Sequence, residues 1–439
     1  MVLAFLVAVA ACGAASAGEI DPRATKDGWR ILVEPDHAGG LYRSGETIRF
    51  LVRVTRDDRP VAGAAVSYEI ELNGTRMHKR GDGATDKAGA LAVETSLGEP
   101  GCLAIVARCA ISEGQSIASE SGVAVDAPSI KPALPAPDDF DAFWAAQKKR
   151  LAEMLRNARL TPVEVPREGW EADVECFDVQ IDCPGGAPMS GYFGRPKGAA
   201  PRSCPAWISF HGAGVHSSNL MAAAARAKTW HMLGMDINAH GSPNGKPDAY
   251  YKDLQNGRLR GYGLKGIDSR DTCYFLGMYL RIKRALDFLC EQPEWDGKTL
   301  IAAGSSQGGG QAIVAAGLDE RVSIISAGLP ALCDLAGSAA ERGAGWPFGT
   351  RKLSDEQLRT VRYFDACHFA ARTRARAVVR VGLVDHTCWP TGMLAMCNQL
   401  KGTKDILIFH NSGHGWTPSS AYRAAGDKFN NLLAGLRKK

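Results

Sequence analysis

From about Gly18 to Asp126 hydrophobic and polar residues alternate in short runs such as Thr47-Ile-Arg-Phe-Leu-Val-Arg-Val54 and Ala65-Val-Ser-Tyr-Glu-Ile-Glu-Leu72. A period of two sends successive side chains to opposite faces, so each run predicts a strand buried on one side. Turn clusters separate the runs: Asp57-Asp58-Arg59-Pro60, Asn73-Gly74, Asp82-Gly83 and Glu99-Pro-Gly101. Short strands with regular turns predict an all-β, immunoglobulin-like sandwich over residues 18–126. The next stretch, residues 127–137, holds four prolines and reads as a semi-rigid linker.

At Asp138 the period changes. Acidic N-capping residues precede Phe140, Phe143, Trp144, Leu151 and Leu155, spaced to share one helical face. Phe177–Cys183 and Met189–Gly194 flank Pro184-Gly-Gly and predict a hairpin. Strand and helix patterns then alternate to the C-terminus, as a mostly parallel sheet with crossover helices requires. Residues 138–439 thus read as one α/β domain.

Composition narrows the function without choosing it. The 52 basic and 47 acidic residues give a net charge of +5 with no basic tract, which argues against nucleic acid as a partner. Residues 1–17 pair an apolar run with Ala15-Ser16-Ala17, the small-residue cleavage pattern of a secretory signal, although no basic residue precedes the run. Export to the periplasm or medium is the expectation, with no membrane span. Val9-Ala10-Ala11-Cys12 also fits a lipoprotein box, leaving an anchor through Cys12 open. Eleven further cysteines are scattered without a C-x-x-C pair. They read as small buried hydrophobes, with one or two disulfides left open. Cys102 and Cys109 fall on opposite faces of one strand, so a bridge between them is not expected.

The chemistry concentrates at Gly304-Ser305-Ser306-Gln307-Gly308. In a chain with 49 glycines among 439 residues, G-x-S-x-G arises by chance roughly 0.4 times, so the pattern alone is weak. Its setting is stronger. A strand-like run, Lys298–Gly304, precedes it and a helix-forming run, Gln311–Gly317, follows, which is the context of a nucleophile elbow in an α/β-hydrolase fold. Ser306 is then the nucleophile and the backbone N–H of Gln307 one oxyanion donor. The strand Ala206–Phe210 ends at His211-Gly-Ala-Gly214, which offers the Ala213 N–H as the second donor. Asp385 follows the strand Ala377–Val384, and His414 lies in the loop after Asp405–Phe409. That completes the order Ser, Asp, His at the carboxyl ends of strands. Asp334 and His410 are the rival acid and base. The familiar metal-ligand spacings are absent: His211 and His216 stand five apart with no third ligand near, so no metal is expected, and the chemistry calls for no cofactor.

Residues from about 138 onward resemble the acetyl xylan esterase and cephalosporin C deacetylase family, carbohydrate esterase family seven. The match rests on Asp138-Asp-Phe-Asp-Ala-Phe-Trp144, Gly304-x-Ser306-Gln-Gly-Gly309, Leu318-Asp-Glu-Arg-Val322, Asp385 through Cys388 to Pro390, and Gly413-His414. The resemblance implies Ser306 as nucleophile, His414 as base, Asp385 as orienting acid, and Gln307 and Ala213 as oxyanion donors, acting on acetylated carbohydrate or a small acetate ester. Three departures stand out: Ala213 where many members carry tyrosine, Ala239-His240-Gly241-Ser242 where they carry Arg-Gly-Gln-Gly, and Gly415 where a glutamate usually follows the histidine. Loss of that arginine is expected to alter loop anchoring or assembly, and the oligomeric state stays open. A serine peptidase on the same fold and an inactive glycan-binding protein are the rival readings. No triad candidate precedes the linker, so the N-terminal domain is expected to be dispensable for the chemistry.

Overall fold

The computed structural model describes residues 19–436; the proposed signal and Cys12 lie outside them. The N-terminal runs form two five-stranded sheets. In one, Thr25–Lys26, Trp29–Pro35, Thr47–Arg56 and Arg59–Pro60 lie in that order, and Ala90–Ser96 also pairs with Thr47–Arg56. The other runs Leu41–Tyr42, Gln115–Val125, Gly101–Ser112, Ala65–Leu72, Arg76–Ala84. The alternation does what it predicted: Ile48, Phe50, Val52 and Val54 from one sheet join Val66, Ile70, Leu103 and Ile105 from the other in a single buried cluster.

The second region is built on a nine-stranded sheet. Its order is Arg159–Val163, Val174–Ile181, Met189–Pro196, Leu233–Asn238, Cys204–Phe210, Trp295–Ser305, Ile324–Gly328, Arg376–Gly382, Lys404–Phe409. The predicted hairpin is present, with Val174–Ile181 antiparallel to Met189–Pro196. From Leu233–Asn238 to Lys404–Phe409 every neighbouring pair is parallel, and the helices Leu220–Trp230, Gln307–Leu318 and Pro390–Gln399 make three of the crossovers. Parallel strands covered on both faces need near-continuous apolar sequence, and Leu300, Ile301 and Ala302, or Val378, Val379 and Val381, supply it.

The helix Phe140–Glu153 buries Phe140, Phe143, Trp144 and Leu151, and the Trp144 indole N–H donates to Tyr363 O at 2.9 Å. Leu155 departs from the expected face and is 79% exposed. The helix stops at Glu153 and the chain turns extended at Met154, so the 3.6-residue period no longer applies two residues later.

All eleven cysteines among the described residues are free, and ten are buried. Cys102 and Cys109 do face opposite ways. Cys109 joins the core between the two N-terminal sheets, and Cys102 joins the core of the α/β region.

That division reflects extensive docking. Residues 127–137 are fixed along their length instead of spanning a gap. Asn398 Nδ2 donates to Ala127 O and Ile130 O, Ala133 N–H donates to the Asp334 carboxylate at 2.7 Å, and Arg362 Nε donates to Pro135 O. Ile130 is 3% exposed within the α/β core. Prolines cannot donate backbone hydrogen bonds, so the segment is held through its carbonyls and one N–H by side chains of the neighbouring region.

Candidate active site

Ser306 sits between the strand Trp295–Ser305 and the helix Gln307–Leu318 with φ 57° and ψ −125°, a conformation that costs a non-glycine residue free energy and is held only by its surroundings. The glycines explain how. A Cβ on Gly308 would lie 2.1 Å from Phe210 O, and one on Gly310 would lie 2.4 Å from Ala331 O. Only glycine lets the helix start that close to the neighbouring strand ends. The Ser306 backbone is pinned as well, its N–H donating to Gly328 O at 2.8 Å and its carbonyl accepting from Ala331 N at 2.9 Å.

The structure brings Ser306, His414 and Asp385 into one line. His414 Nε2 lies 2.9 Å from Ser306 Oγ, and His414 Nδ1 lies 2.5 Å from Asp385 Oδ2. A carboxylate only accepts, so Nδ1 carries the proton and Nε2 is left to receive the serine hydroxyl. The other Asp385 oxygen accepts the N–H groups of Thr387 at 2.9 Å and Cys388 at 2.8 Å. Asp385 is buried, whereas the His414 side chain keeps 24% of its surface. The line thus runs from a closed acid to an accessible base. Cys388 Sγ stands 3.9 Å from His414 Nε2, but burial, and after it the Asp385 charge, hold its thiol well above the usual range. It stays protonated beside the histidine.

The loop after Cys204–Phe210 faces the serine: a Cβ on Gly212 would come 3.9 Å from Ser306 Cβ. Three residues hold this loop, and sequence reasoning missed two of them, Tyr262 and Tyr274. The Tyr262 hydroxyl donates to Gln307 Oε1 at 2.5 Å and accepts the Gly214 N–H at 3.3 Å, so one oxygen ties the loop to the first residue of the nucleophile helix. His240 is buried and lies with Nε2 2.7 Å from Gly214 O and Nδ1 2.5 Å from the Tyr274 hydroxyl. A carbonyl only accepts, so Nε2 carries the proton and Nδ1 accepts from Tyr274. Burial lowers the His240 pKa to about 4, which keeps this neutral tautomer at ordinary pH. The segment 239–242 is anchored by Arg281 from the helix Tyr274–Cys290, which donates twice to Ala239 O, at 2.7 and 3.1 Å. No local pattern marks Tyr262, which lies in a glycine-rich connection, although the departure at 239–242 did point to His240.

The rival acid and base are engaged elsewhere. Asp334 is buried, paired with Arg342 at 2.7 Å and capping Ala133 N–H. His410 lies with Nδ1 2.9 Å from Ser121 Oγ in the N-terminal region, and burial lowers its pKa. The ring centroids of His211 and His216 lie 4.0 Å apart.

Comparison with known proteins identifies the family. The sequence profile of the acetyl xylan esterase (AXE1) family matches residues 128–425. The chain is 29% identical over 398 residues to acetyl esterase Axe7A of Xylanibacter ruminicola, covering 88% of this chain and 87% of that one. It resembles the solved acetyl xylan esterase from Paenibacillus sp. R4 at 27% identity and a TM-score of 0.57, over 70% of this chain and 98% of that one. The acetyl xylan esterase 1 of Thermoanaerobacterium sp. shares the fold, with 22% identity and a TM-score of 0.58 over 70% and 97% of the two chains. With the profile matching over two thirds of its length, this chain belongs to the acetyl xylan esterase family and is a carboxylic ester hydrolase.

Proposed function

We propose that the protein removes acetyl groups from acetylated xylan, xylo-oligosaccharides or related small acetate esters through a Ser306–His414–Asp385 relay. The observation that carries this reading is the unbroken hydrogen-bonded line from Ser306 Oγ through both nitrogens of His414 to Asp385. His414 Nε2 takes the hydroxyl proton as Ser306 Oγ attacks the ester carbonyl, and the buried Asp385 carboxylate balances the imidazolium that forms. The oxyanion is received by the backbone N–H groups of Gln307 and Ala213. Gln307 opens a helix, where free N–H groups and the helix dipole favour negative charge, and each such donor is worth about 3 kcal/mol in the transition state. The imidazolium then protonates the departing sugar alkoxide, leaving acetyl-Ser306. Water, deprotonated by His414, repeats the attack and releases acetate. No step calls for a metal or organic cofactor.

The two N-terminal sheets form an immunoglobulin-like sandwich in this reading, distinct from the α/β-hydrolase domain that begins at Asp138. The signal-like leader implies a secreted or periplasmic enzyme meeting its glycan outside the cytoplasm. No helix among the described residues is long and apolar enough to cross a membrane.

The test is Ser306→Ala. Hydrolysis of acetylated xylo-oligosaccharide and of a chromogenic acetate is expected to fall by on the order of 10⁶-fold, with the circular dichroism unchanged. A chromogenic acyl series sharpens it: kcat/KM should be highest for acetate and fall with longer chains. Retained turnover in Ser306→Ala, or cleavage of a peptide amide in preference to acetate, would overturn the assignment.

A further inference from the structure

The two strands that deliver the acid and the base end side by side, and a third element from the other region covers both ends. Leu383 N–H donates to Phe409 O at 3.0 Å and Val384 N–H to Ser412 O at 3.2 Å. A Cβ on Gly413 would meet Val384 O at 2.5 Å. The loops carrying Asp385 and His414 are thus packed on each other with no slack. Across them lies the strand Gln115–Val125 of the N-terminal region. Gly122 N–H donates to His410 O at 2.7 Å, and Ser121 Oγ meets His410 Nδ1 at 2.9 Å. A Cβ on Gly122 would fall 2.3 Å from Leu383 O. Glu120 reaches His386, the residue after Asp385, at 3.4 Å. The Asn73-Gly74 turn adds a second hold. Gly74 lies flat on the Trp389 ring, where a Cβ would come 2.3 Å from its carbons, and Asn73 O accepts Gly343 N–H at 3.0 Å. Between this turn and Asp385 the open space is only about 10 Å³, on the order of one water.

The geometry points to a positioning role for the N-terminal sheets: through Gly122, Ser121 and the Asn73-Gly74 turn they clamp the loops of Asp385 and His414, setting the distance between acid and base. This rests on the triad reading above. It replaces the expectation that the N-terminal domain is dispensable, because residues with no chemistry of their own touch the neighbours of both relay members. None of these clamp contacts involves Ser306, so loosening the clamp should lower kcat while leaving KM nearly unchanged. Misplacement by about 1 Å costs on the order of 100-fold.

Four full-length proteins test it: wild type, Ser306→Ala, Gly122→Val, and Phe429→Leu as a stability control on the helix Ser419–Leu436, where its ring packs on Trp207 and meets none of the residues of the N-terminal sheets named above. With soluble acetate ester, Gly122→Val is expected to lose roughly 10- to 100-fold in kcat with KM within about threefold. Phosphonate labelling of Ser306 should slow in parallel, since it needs the same base. Phe429→Leu should lose stability but keep the kcat of its folded fraction. Where Gly122→Val does not fold, the double variant Ser121→Ala, His386→Gln adds no bulk and decides instead, with a loss of at least about threefold in kcat and in labelling rate expected. Normal kcat and labelling in a folded clamp variant, with Ser306→Ala dead, overturn the clamp alone. Activity surviving in Ser306→Ala overturns the triad and the clamp with it.

Discussion

The nucleophile and its two partners are held in different ways. Ser306 is fixed within the α/β region itself: the strand before it, the helix after it and glycines that admit the backbones of Phe210 and Ala331. Asp385 and His414 sit on loops whose neighbours, Leu383, His386, Trp389 and His410, are met by residues far away in the chain, from Asn73 to Gly122. A strained single residue can be enforced by close local packing. The two loops also pack on each other, and the clamp adds a third body that bears on both at once.

Substitutions can break this contrast at either side, and the largest effect is expected at the elbow. Gly308→Val places a branched side chain where a single Cβ already lies 2.1 Å from a backbone oxygen. Esterase activity should be lost by more than about 100-fold, or the protein should fail to accumulate in soluble form. Near-normal activity in a crude lysate assay would show that the elbow is not locally enforced.

The second probe addresses the long-range side. Arg342 pairs with the buried Asp334 and also donates to Lys131 O, so Arg342→Ala leaves a buried carboxyl with its main partner gone. Burial already raises the Asp334 pKa while Arg342 opposes that rise. A loss of about 3–5 kcal/mol is expected from denaturant melts, with Arg342→Ala, Asp334→Asn together recovering part of it.

Tyr262→Phe tests the seam between the two modes, because its hydroxyl joins the 211–214 loop to Gln307. About 1–2 kcal/mol of hydrogen bonding is removed. A roughly tenfold fall in kcat with melting temperature little changed would mark it as a positioning group, and an unchanged kcat would confine it to packing.

The smallest effect belongs to the Glu120–His386 pair. Glu120 raises the His386 pKa above its ordinary 6.5 through hydrogen bonding and charge. A histidine raised on folding adds stability that is fully present below 6.5 and lost as pH rises through the folded value. The pair is partly exposed, so Glu120→Gln should cost under about 1 kcal/mol at pH 6. The cost should shrink in 0.5 M salt and towards pH 9; a difference that grows with pH would reverse the sign of the coupling.

The same contrast explains what was legible in the sequence. Gly304 through Gly310 announced themselves because local strain demands particular residue types in a row. Asp385 and His414 could be read from strand ends and chain order. Tyr262 and Tyr274 could not, since each acts through one hydroxyl brought in from a distant turn or helix, and tyrosine is ordinary core material elsewhere. Residues 127–137 read as a spacer because proline richness speaks of stiffness and says nothing about the side chains of Asn398, Arg342 and Arg362 that bind its carbonyls. Leu155 was placed on a helix that had already ended.

The strand Gly101–Ser112 has a consequence for how such an enzyme would meet a polymer. With Cys109 in one core and Cys102 in the other, swinging the two-sheet region relative to the α/β region would drag side chains out of close packing, a cost that domain pairs with small polar interfaces are spared when they move. A binding module on a loose tether raises local substrate concentration by wandering within its linker's reach. Under the proposed function, any glycan resting on the N-terminal sheets would be presented to Ser306 at one fixed bearing and distance, so the spacing of acetyl groups along a chain, more than their abundance, would govern which of them is cut.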